Sequence, residues 1–310
     1  TNELLFQTLM LAGIAAFVGW RLGERVVPRG RVIAFGALVG IVLVTKVTGL
    51  VLLATALLIW GWRLLATRDL IFLKRVALVL AIATLIQAPW LAYKMQTFGT
   101  VFSINLYETL PRYQVWNSPG WRYVFVWNNH VLTDYPYWDS MPRSAAAVFL
   151  SDSFGDYYNL FGNVYRVSAL PASEKILTGS GRYTTATLWR SLLAANRVGL
   201  AIFLVWIAGT AGLLFDLMRK RRLDAQTAFV LVALAGGYAA LLVNNLRLPY
   251  LERGVLKAHF IYYTFPLVAA LSWGYLRRKL PLPLWAMLVV VPLLVYVLVA
   301  WPMLWVPGRV

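Results

Sequence analysis

Apolar residues occur in eight long runs along the chain, and short polar loops separate most of them. The runs extend over 4–20, 32–46, 49–66, 76–93, 198–217, 227–245, 258–276 and 282–303. Most of them approach the roughly 20 apolar residues that a helix needs to cross a bilayer. The pattern therefore predicts an all-α polytopic membrane protein with about eight transmembrane helices.

Basic residues cluster in every second loop between these runs. The clusters contain Arg21, Arg25, Arg29 and Arg31; Arg63, Arg68, Lys74 and Arg75; Arg219, Lys220, Arg221 and Arg222; and Arg277, Arg278 and Lys279. Short loops rich in Lys and Arg remain cytoplasmic, so these four loops are predicted to share the cytoplasmic face. The long segment 95–196 is then exoplasmic. We predict a multi-pass protein of a bacterial inner membrane.

Composition supports a membrane protein and limits the available chemistry. The chain is 60% hydrophobic and only 13% charged, which leaves too little polar surface for a soluble protein of this length. The net charge of +17 is attributed largely to membrane topology and to anionic membrane lipids, and no nucleic-acid partner is predicted. The chain has no cysteine and only two histidines, which excludes disulfides, a Cys nucleophile and a His-rich metal site.

The runs divide the chain into three parts. A first transmembrane block covers 1–94, an interfacial segment covers 95–196, and a second transmembrane block covers 197–310. A structureless loop of about a hundred residues is uncommon in a compact protein, so the middle part is predicted to be a small exoplasmic subdomain. It is rich in Trp and Tyr. These rings suit either an aromatic belt at the membrane surface or stacking against a sugar, and both interpretations stay open.

Basic side chains at the predicted exoplasmic ends of the helices are candidates for binding phosphate. Lys46 lies at the tip of the hairpin that joins the second and third runs, where a charge near hydrocarbon is costly without a partner. Lys257 and His259 open the seventh run, shortly after Arg253. Together these four side chains are predicted to bind a phosphate or pyrophosphate. The alternative for Lys46 is that its side chain only reaches toward lipid headgroups.

The few acidic residues form a second candidate group. The residues proposed to bind a sugar or an acceptor are Glu3, Asp152, Asp156, Tyr157, Tyr158 and Asn159. A divalent metal is also left open for the Asp152 and Asp156 pair, although their spacing matches no standard metal motif. The alternatives are helix N-terminal charge for Glu3 and a capped loop turn for Asp152 and Asp156. The sequence contains no phosphate-binding loop, dinucleotide fingerprint or nucleophile elbow.

Several short stretches resemble the later part of GT-C membrane glycosyltransferases, of the protein mannosyltransferase and aminoarabinose transferase type. They are the Thr1-Asn2-Glu3 start, the hairpin 43–50, the stretch 151–159 and the start of the seventh run at 257–266. The resemblance implies transfer of a sugar from a polyprenyl-phosphate donor to an acceptor on the exoplasmic face. It also implies that Lys46 and Lys257, with His259, lie near the lipid phosphate.

The resemblance departs from the family pattern at the catalytic base. That base is an Asp or Glu in the first exoplasmic loop, after an N-terminal span that this chain lacks. We therefore expect the base upstream of Thr1 or on a partner polypeptide, and assign the chain no catalytic residue. Two other functions remain: a non-catalytic membrane subunit of a larger complex, and a transporter of polyprenyl lipids.

Overall fold

Helices account for nearly all of the described protein. The computed structural model describes residues 2–99, 126–133, 144–155, 175–177, 183–220, 223–247 and 261–304. The helices are α1 (Asn2–Gly19), α2 (Arg29–Thr45), α3 (Leu50–Thr67), α4 (Ile71–Phe98), α5 (His130–Thr133), α6 (Ala145–Phe154), α7 (Ala186–Lys220), α8 (Ala225–Arg247), α9 (Thr264–Lys279) and α10 (Leu282–Leu304). One turn of 3₁₀ helix, Val47–Gly49, joins α2 to α3.

Within the described residues, five helices are long and apolar enough to cross a membrane. Their apolar spans are Leu50–Thr67, Ile71–Phe98, Arg190–Lys220, Ala225–Val243 and Leu282–Trp301. The other three predicted runs also form helices, but α1, α2 and α9 have only 18, 17 and 16 residues. Basic residues occupy the start of α2 and the end of α9, which shortens their apolar parts. The chain is thus a multi-pass membrane protein.

A short pair of strands adds to the helices in the middle of the chain. Strands β1 (Lys175–Leu177) and β2 (Tyr183–Thr185) are antiparallel, and Ile176 pairs with Thr184. The segment is therefore mixed in its described parts, because α5 and α6 precede the strands. Strands of three residues give too weak a period-two pattern to be recognised in a sequence.

The contacts divide the chain into two compact units. As far as the structure describes them, the first unit comprises Thr1–Trp116, Leu217–Val243 and Phe260–Leu267, and the second comprises Asn117–Asp216, Asn244–His259 and Val268–Val310. Parts of the predicted second block therefore belong to the first unit.

Close packing between α2 and α4 depends on glycine in the first unit. A Cβ atom at Gly36 would lie 3.2 Å from Cβ of Ile82, and one at Gly40 would lie 2.9 Å from Cβ of Ile86. Small residues at such spacing let two helix backbones approach within a membrane, where dispersion contacts drive association. The same unit contains a cluster of buried rings, in which Phe17 stacks on Phe229 with centroids 3.7 Å apart.

Arg75 holds the loop between α1 and α2 in place. Its guanidinium donates hydrogen bonds to the carbonyl oxygens of Leu22 (2.8 Å), Arg25 (2.7 Å) and Glu24. The Trp60 indole also donates to the Leu22 carbonyl, at 2.9 Å. Arg75 is only 4% exposed. Its donors are therefore directed into the protein.

Glycine also permits close packing in the second unit. A Cβ atom at Gly209 of α7 would lie 2.8 Å from Cα of Ser272 on α9, and one at Gly212 would lie 2.5 Å from the Tyr275 ring. The buried Ser272 hydroxyl donates to the Val205 carbonyl of α7, at 2.9 Å. Helices α7 and α9 are therefore in backbone-to-backbone contact at this point.

Asp224 caps the N-terminus of α8. Its carboxylate accepts hydrogen bonds from the amides of Gln226 (3.0 Å) and Thr227 (2.9 Å) and from the Thr227 hydroxyl (2.7 Å). Burial acts to raise the pKa of Asp224, but the hydrogen bonds from Thr227 and Gln226 outweigh that effect and hold the pKa below its usual value. The ionised carboxylate is therefore the form that stabilises the start of α8.

Replacing Asp224 with alanine is expected to lower the free energy of unfolding by about 1 kcal/mol near neutral pH, because two amide donors lose their acceptor. The contribution of the charge is fully present above the carboxyl's unfolded pKa of about 3.9 and is lost as the pH falls through the lower folded pKa. Thermal unfolding of wild type and variant in detergent, over a pH series, measures both effects. A difference that grows toward acid pH would contradict the assignment.

Candidate functional site

Lys46 lies at the tip of a tight hairpin. It ends α2 with an extended backbone, and its amide donates to the Val42 carbonyl at 3.0 Å. Gly49 closes the following turn by donating to the Lys46 carbonyl at 2.9 Å. A Cβ atom at Gly49 would lie 2.5 Å from a Val42 methyl group and 3.0 Å from the Val42 carbonyl oxygen. Glycine is therefore required where α2 and α3 meet, and the turn fixes the position of Lys46.

The Lys46 side chain lies over an aromatic ring of α1. Its Nζ atom is 5.7 Å from the centroid of the Phe6 ring. Phe6 is fully buried, and Lys46 is half-buried. An ammonium group over a ring face gains attraction from the ring quadrupole. The cation is thus held against the bundle.

The start of α9 reaches the next residue of α1. The Gln7 side-chain oxygen accepts a hydrogen bond from the Tyr263 amide at 2.8 Å, and both residues are buried. The Tyr263 phenol lies against the α8 backbone, because a Cβ atom at Gly237 would be 2.4 Å from its oxygen. Helices α1, α8 and the start of α9 are joined at this point.

The structure therefore places Lys46 and the start of α9 around two consecutive residues of α1, Phe6 and Gln7. We call the residues Phe6, Gln7, Lys46 and Tyr263 the Lys46 site. The other predicted phosphate-binding residues, Arg253, Lys257 and His259, lie outside the described residues.

Sequence reasoning did not identify Phe6 or Gln7 as part of the site. Phe6 is one of many apolar residues in its run, and nothing in the pattern distinguishes it. Gln7 did carry a signal, because a buried amide within an apolar helix needs a hydrogen-bond partner. The sequence does not reveal that this partner is the backbone of Tyr263.

Asp152 belongs to the second unit and lies in the last turn of α6. It is 6% exposed, and the adjacent Ser151 is fully buried. Ser144 caps the helix: its hydroxyl accepts from the Ala147 amide at 3.2 Å and donates to the Val126 carbonyl at 2.7 Å. The alternative of a loop turn is therefore wrong for Asp152, because the residue is helical. The apolar run of α6, 145–150, has only six residues, which is too short to distinguish a helix from a strand in the sequence.

Side chains of the transmembrane helices position the region around α6. The Asn196 amide donates to the Val131 carbonyl at 3.1 Å, and Nε of Arg197 donates to the Leu132 carbonyl at 2.6 Å. The Tyr296 hydroxyl of α10 donates to the Phe154 carbonyl at the end of α6, at 2.9 Å. Asn196 is fully buried. The short helices of the middle segment are thus fixed to α7 and α10.

The remaining candidates for sugar or acceptor binding have no described side chains. Glu3 lies in the first turn of α1, but its side chain is not among the described groups. Asp156, Tyr157, Tyr158 and Asn159 lie outside the described residues. Within the described part of the chain, no group of three His, Cys, Asp or Glu side chains could hold a metal ion.

Comparison with known proteins identifies no family for this chain. No protein-family model, curated protein or solved structure matches the chain. The function must therefore be argued from the two sites themselves. The Lys46 site offers a positioned cation, and α6 offers the buried carboxylate of Asp152 next to the buried Ser151.

Proposed function

We propose that this chain binds the phosphate of a polyprenyl-phosphate-linked sugar as part of a GT-C type glycosyltransferase. In this proposal all eight apolar helices cross a bacterial inner membrane. The segment between α4 and α7 forms an aromatic-rich subdomain on the exoplasmic face, where the Lys46 site also lies. The observation that carries the proposal is that Lys46 lies over Phe6 of α1, while the next α1 residue, Gln7, binds the backbone at the start of α9.

The Lys46 site suits the head of an anionic lipid. The tight turn holds the Lys46 backbone and the ammonium lies over a buried ring, so part of the ordering cost of binding an anion is already met. Hydrogen bonds from a cation to phosphate are short and strong. The residues that directly precede the described start of α9 include Lys257 and His259, which would supply further donors to the same phosphate.

The chemistry follows from that arrangement. A carboxylate base removes the proton of the acceptor hydroxyl or amine, and the acceptor atom attacks the anomeric carbon of the sugar. The bond from that carbon to the phosphate oxygen breaks, and its electron pair leaves with the lipid phosphate. Lys46 stabilises the negative charge that develops there. The chain is assigned this phosphate-binding role, and none of its carboxylates is assigned as the base.

Replacing Lys46 with glutamine is expected to weaken binding of polyprenyl phosphate about tenfold, because one charge-assisted hydrogen bond is lost. Binding of the uncharged polyprenol of equal length should not change. Lys94 provides a matched control, since its ammonium also lies over a ring, that of Trp90, at 5.6 Å. Native mass spectrometry of the purified protein with each lipid gives the two affinities. Equal losses for Lys46→Gln and Lys94→Gln would overturn the proposal.

A double substitution of Lys46 and Lys257 separates the proposed enzyme from its alternatives. Loss of sugar transfer with intact assembly supports the glycosyltransferase. Loss of complex formation supports a non-catalytic subunit instead. A wild type that moves the lipid between leaflets without transferring sugar, and loses this movement on substitution, supports a polyprenyl-lipid transporter. The last two outcomes contradict the proposed enzyme.

A further inference from the structure

Two exposed arginines lie on one side of α7. Arg190 and Arg197 are seven residues apart, so the helix brings them to within about 20° of the same direction. The next residues at this spacing, Leu204 and Ala211, are exposed as well, and Leu204 is 54% exposed. We call this side of the helix the α7 column; its members are Arg190, Arg197, Ala201, Leu204, Ala208 and Ala211.

The opposite side of α7 is packed against the protein. Leu192, Ile202, Trp206 and Leu213 lie on that side, and each is less than 9% exposed. Helix α7 is also one of the five helices that are long and apolar enough to cross a membrane. The apolar part of the α7 column therefore faces lipid.

Arg197 lies at the edge of the apolar run of α7. That run covers 198–217, and its roughly 20 residues rise about 30 Å, which matches the hydrocarbon thickness of a bilayer. Arg197 is therefore at the level of the lipid phosphates, and Arg190 is about 10 Å further out along the helix. Leu204 lies about 10 Å from Arg197 in the other direction, within the hydrocarbon. A cation at the boundary above exposed apolar side chains matches an amphiphile with an anionic head.

One hydrogen bond orients the Arg197 guanidinium. Its Nε donates to the Leu132 carbonyl at 2.6 Å, although the residue as a whole is exposed. The other N–H groups of a guanidinium lie in the same plane and suit the oxygens of a phosphate. Neither Arg190 nor Arg197 forms an ion pair with any residue that the structure describes. Arg197 is thus an oriented cation whose counter-charge is not supplied by the described protein.

We infer that Arg197 binds the phosphate of an anionic phospholipid, whose acyl chain lies along the apolar part of the α7 column. Arg190 adds a second positive charge on the same side of the helix and attracts the same headgroup. The column favours a lipid over free phosphate, which gains nothing from contact with Leu204. This inference does not depend on the proposed function, because this part of α7 belongs to the second unit and Lys46 to the first.

The test compares lipids and variants with the purified full chain. Phosphatidylglycerol, phosphatidylcholine with the same acyl chains, and inorganic phosphate are titrated separately, and bound molecules are counted by native mass spectrometry. We expect the wild type to prefer phosphatidylglycerol. Arg197→Gln should weaken that binding about tenfold, because a charge-assisted contact is lost. Arg219→Gln is the control and should change it by less than about twofold, since this exposed residue lies at the other end of α7 beside further basic residues.

Three results would overturn the inference. The first is a wild type that binds both phospholipids equally, which needs no variant. The second is equal weakening by Arg197→Gln and Arg219→Gln, which would indicate a diffuse charge effect. The third is displacement of phosphatidylglycerol by an equal concentration of inorganic phosphate.

A second variant separates lipid binding from the structural role of Arg197, whose hydrogen bond to Leu132 is also lost in Arg197→Gln. Arg190→Gln leaves that hydrogen bond intact and should weaken phosphatidylglycerol binding about fivefold, because one positive charge near the headgroup is removed. A phosphatidylglycerol with a photoreactive group in its acyl chain should label residues 201–211 of the wild type. Unchanged binding by Arg190→Gln, or labelling that avoids 201–211, would contradict a lipid on the α7 column.

Discussion

Replacing Arg75 with methionine is expected to lower the free energy of unfolding by about 3 kcal/mol, because part-buried carbonyl oxygens lose their charged donor. The Glu24 and Arg25 carbonyls lose a charged partner, whereas the Leu22 carbonyl keeps the Trp60 indole. Methionine preserves most of the apolar stem that packs near Phe72, so the change mainly removes the hydrogen bonds. Thermal unfolding in detergent, followed by tryptophan fluorescence, measures the loss.

The adjacent Lys74 supplies the control for this change. It carries the same charge in the first turn of α4, but its side chain is exposed. Lys74→Met should therefore alter stability by less than about 0.5 kcal/mol. If the two variants unfold at the same temperature, the role of Arg75 is only its positive charge, and the loop does not depend on its hydrogen bonds.

Replacing Gly209 with alanine is expected to cost about 2 kcal/mol, because the added methyl group meets the backbone of the neighbouring helix. Its nearest backbone contact would be Cα of Ser272, at 2.8 Å. Neither the added Cβ atom nor the Ser272 Cα atom can move away by rotation of a side chain, so α7 and α9 must separate. That movement also stretches the hydrogen bond from Ser272 to the Val205 carbonyl. The same unfolding measurement gives the effect.

Gly274 provides a control, because the same Gly→Ala change there shows whether the loss of stability depends on the position in the helix contact. It lies on α9 two residues after Ser272, and a Cβ atom there would meet nothing within 4 Å. Gly274→Ala should leave stability unchanged or raise it by up to about 1 kcal/mol, since alanine favours a helix more than glycine does. A Gly209 variant as stable as the Gly274 variant would show that α7 and α9 are not in backbone contact.

The hydrophobic pattern located the helices better than it located their ends. Each of the eight apolar runs contains a helix in its described part, because a run of that length has no other way to satisfy its backbone in a membrane. However, α7 begins at Ala186 although its predicted run begins at residue 198. Its first turns are mixed in polarity, so hydropathy could not indicate them, yet they carry Asn196 and Arg197, which fix α5. Helix α7 has 35 residues and is about 52 Å long, well beyond the ~30 Å of hydrocarbon.

Side-chain roles were harder to predict than helices. The clustering of charge identified which helix ends carry Arg63 and Arg75, but it could not show that the Arg75 side chain binds loop carbonyls while Nε of Arg63 has no acceptor among the described residues. Lys46 was recognised because it interrupts two apolar runs. Its neighbour Phe6 was not, because contacts between residues 40 positions apart leave no trace in a single sequence.

The attachment of α5 and α6 to later helices also determines when their contacts can form during synthesis of the protein. Residues 126–155 leave the ribosome before their partners, since Val131 and Leu132 bind side chains 65 positions later, and Phe154 binds a side chain 142 positions later. The early segment cannot complete its contacts until α7 has entered the membrane, and Tyr296 arrives last. A ribosome-stalled chain that ends before α10 should therefore be cleaved by protease around Phe154. A longer stalled chain that includes α10 should be protected there.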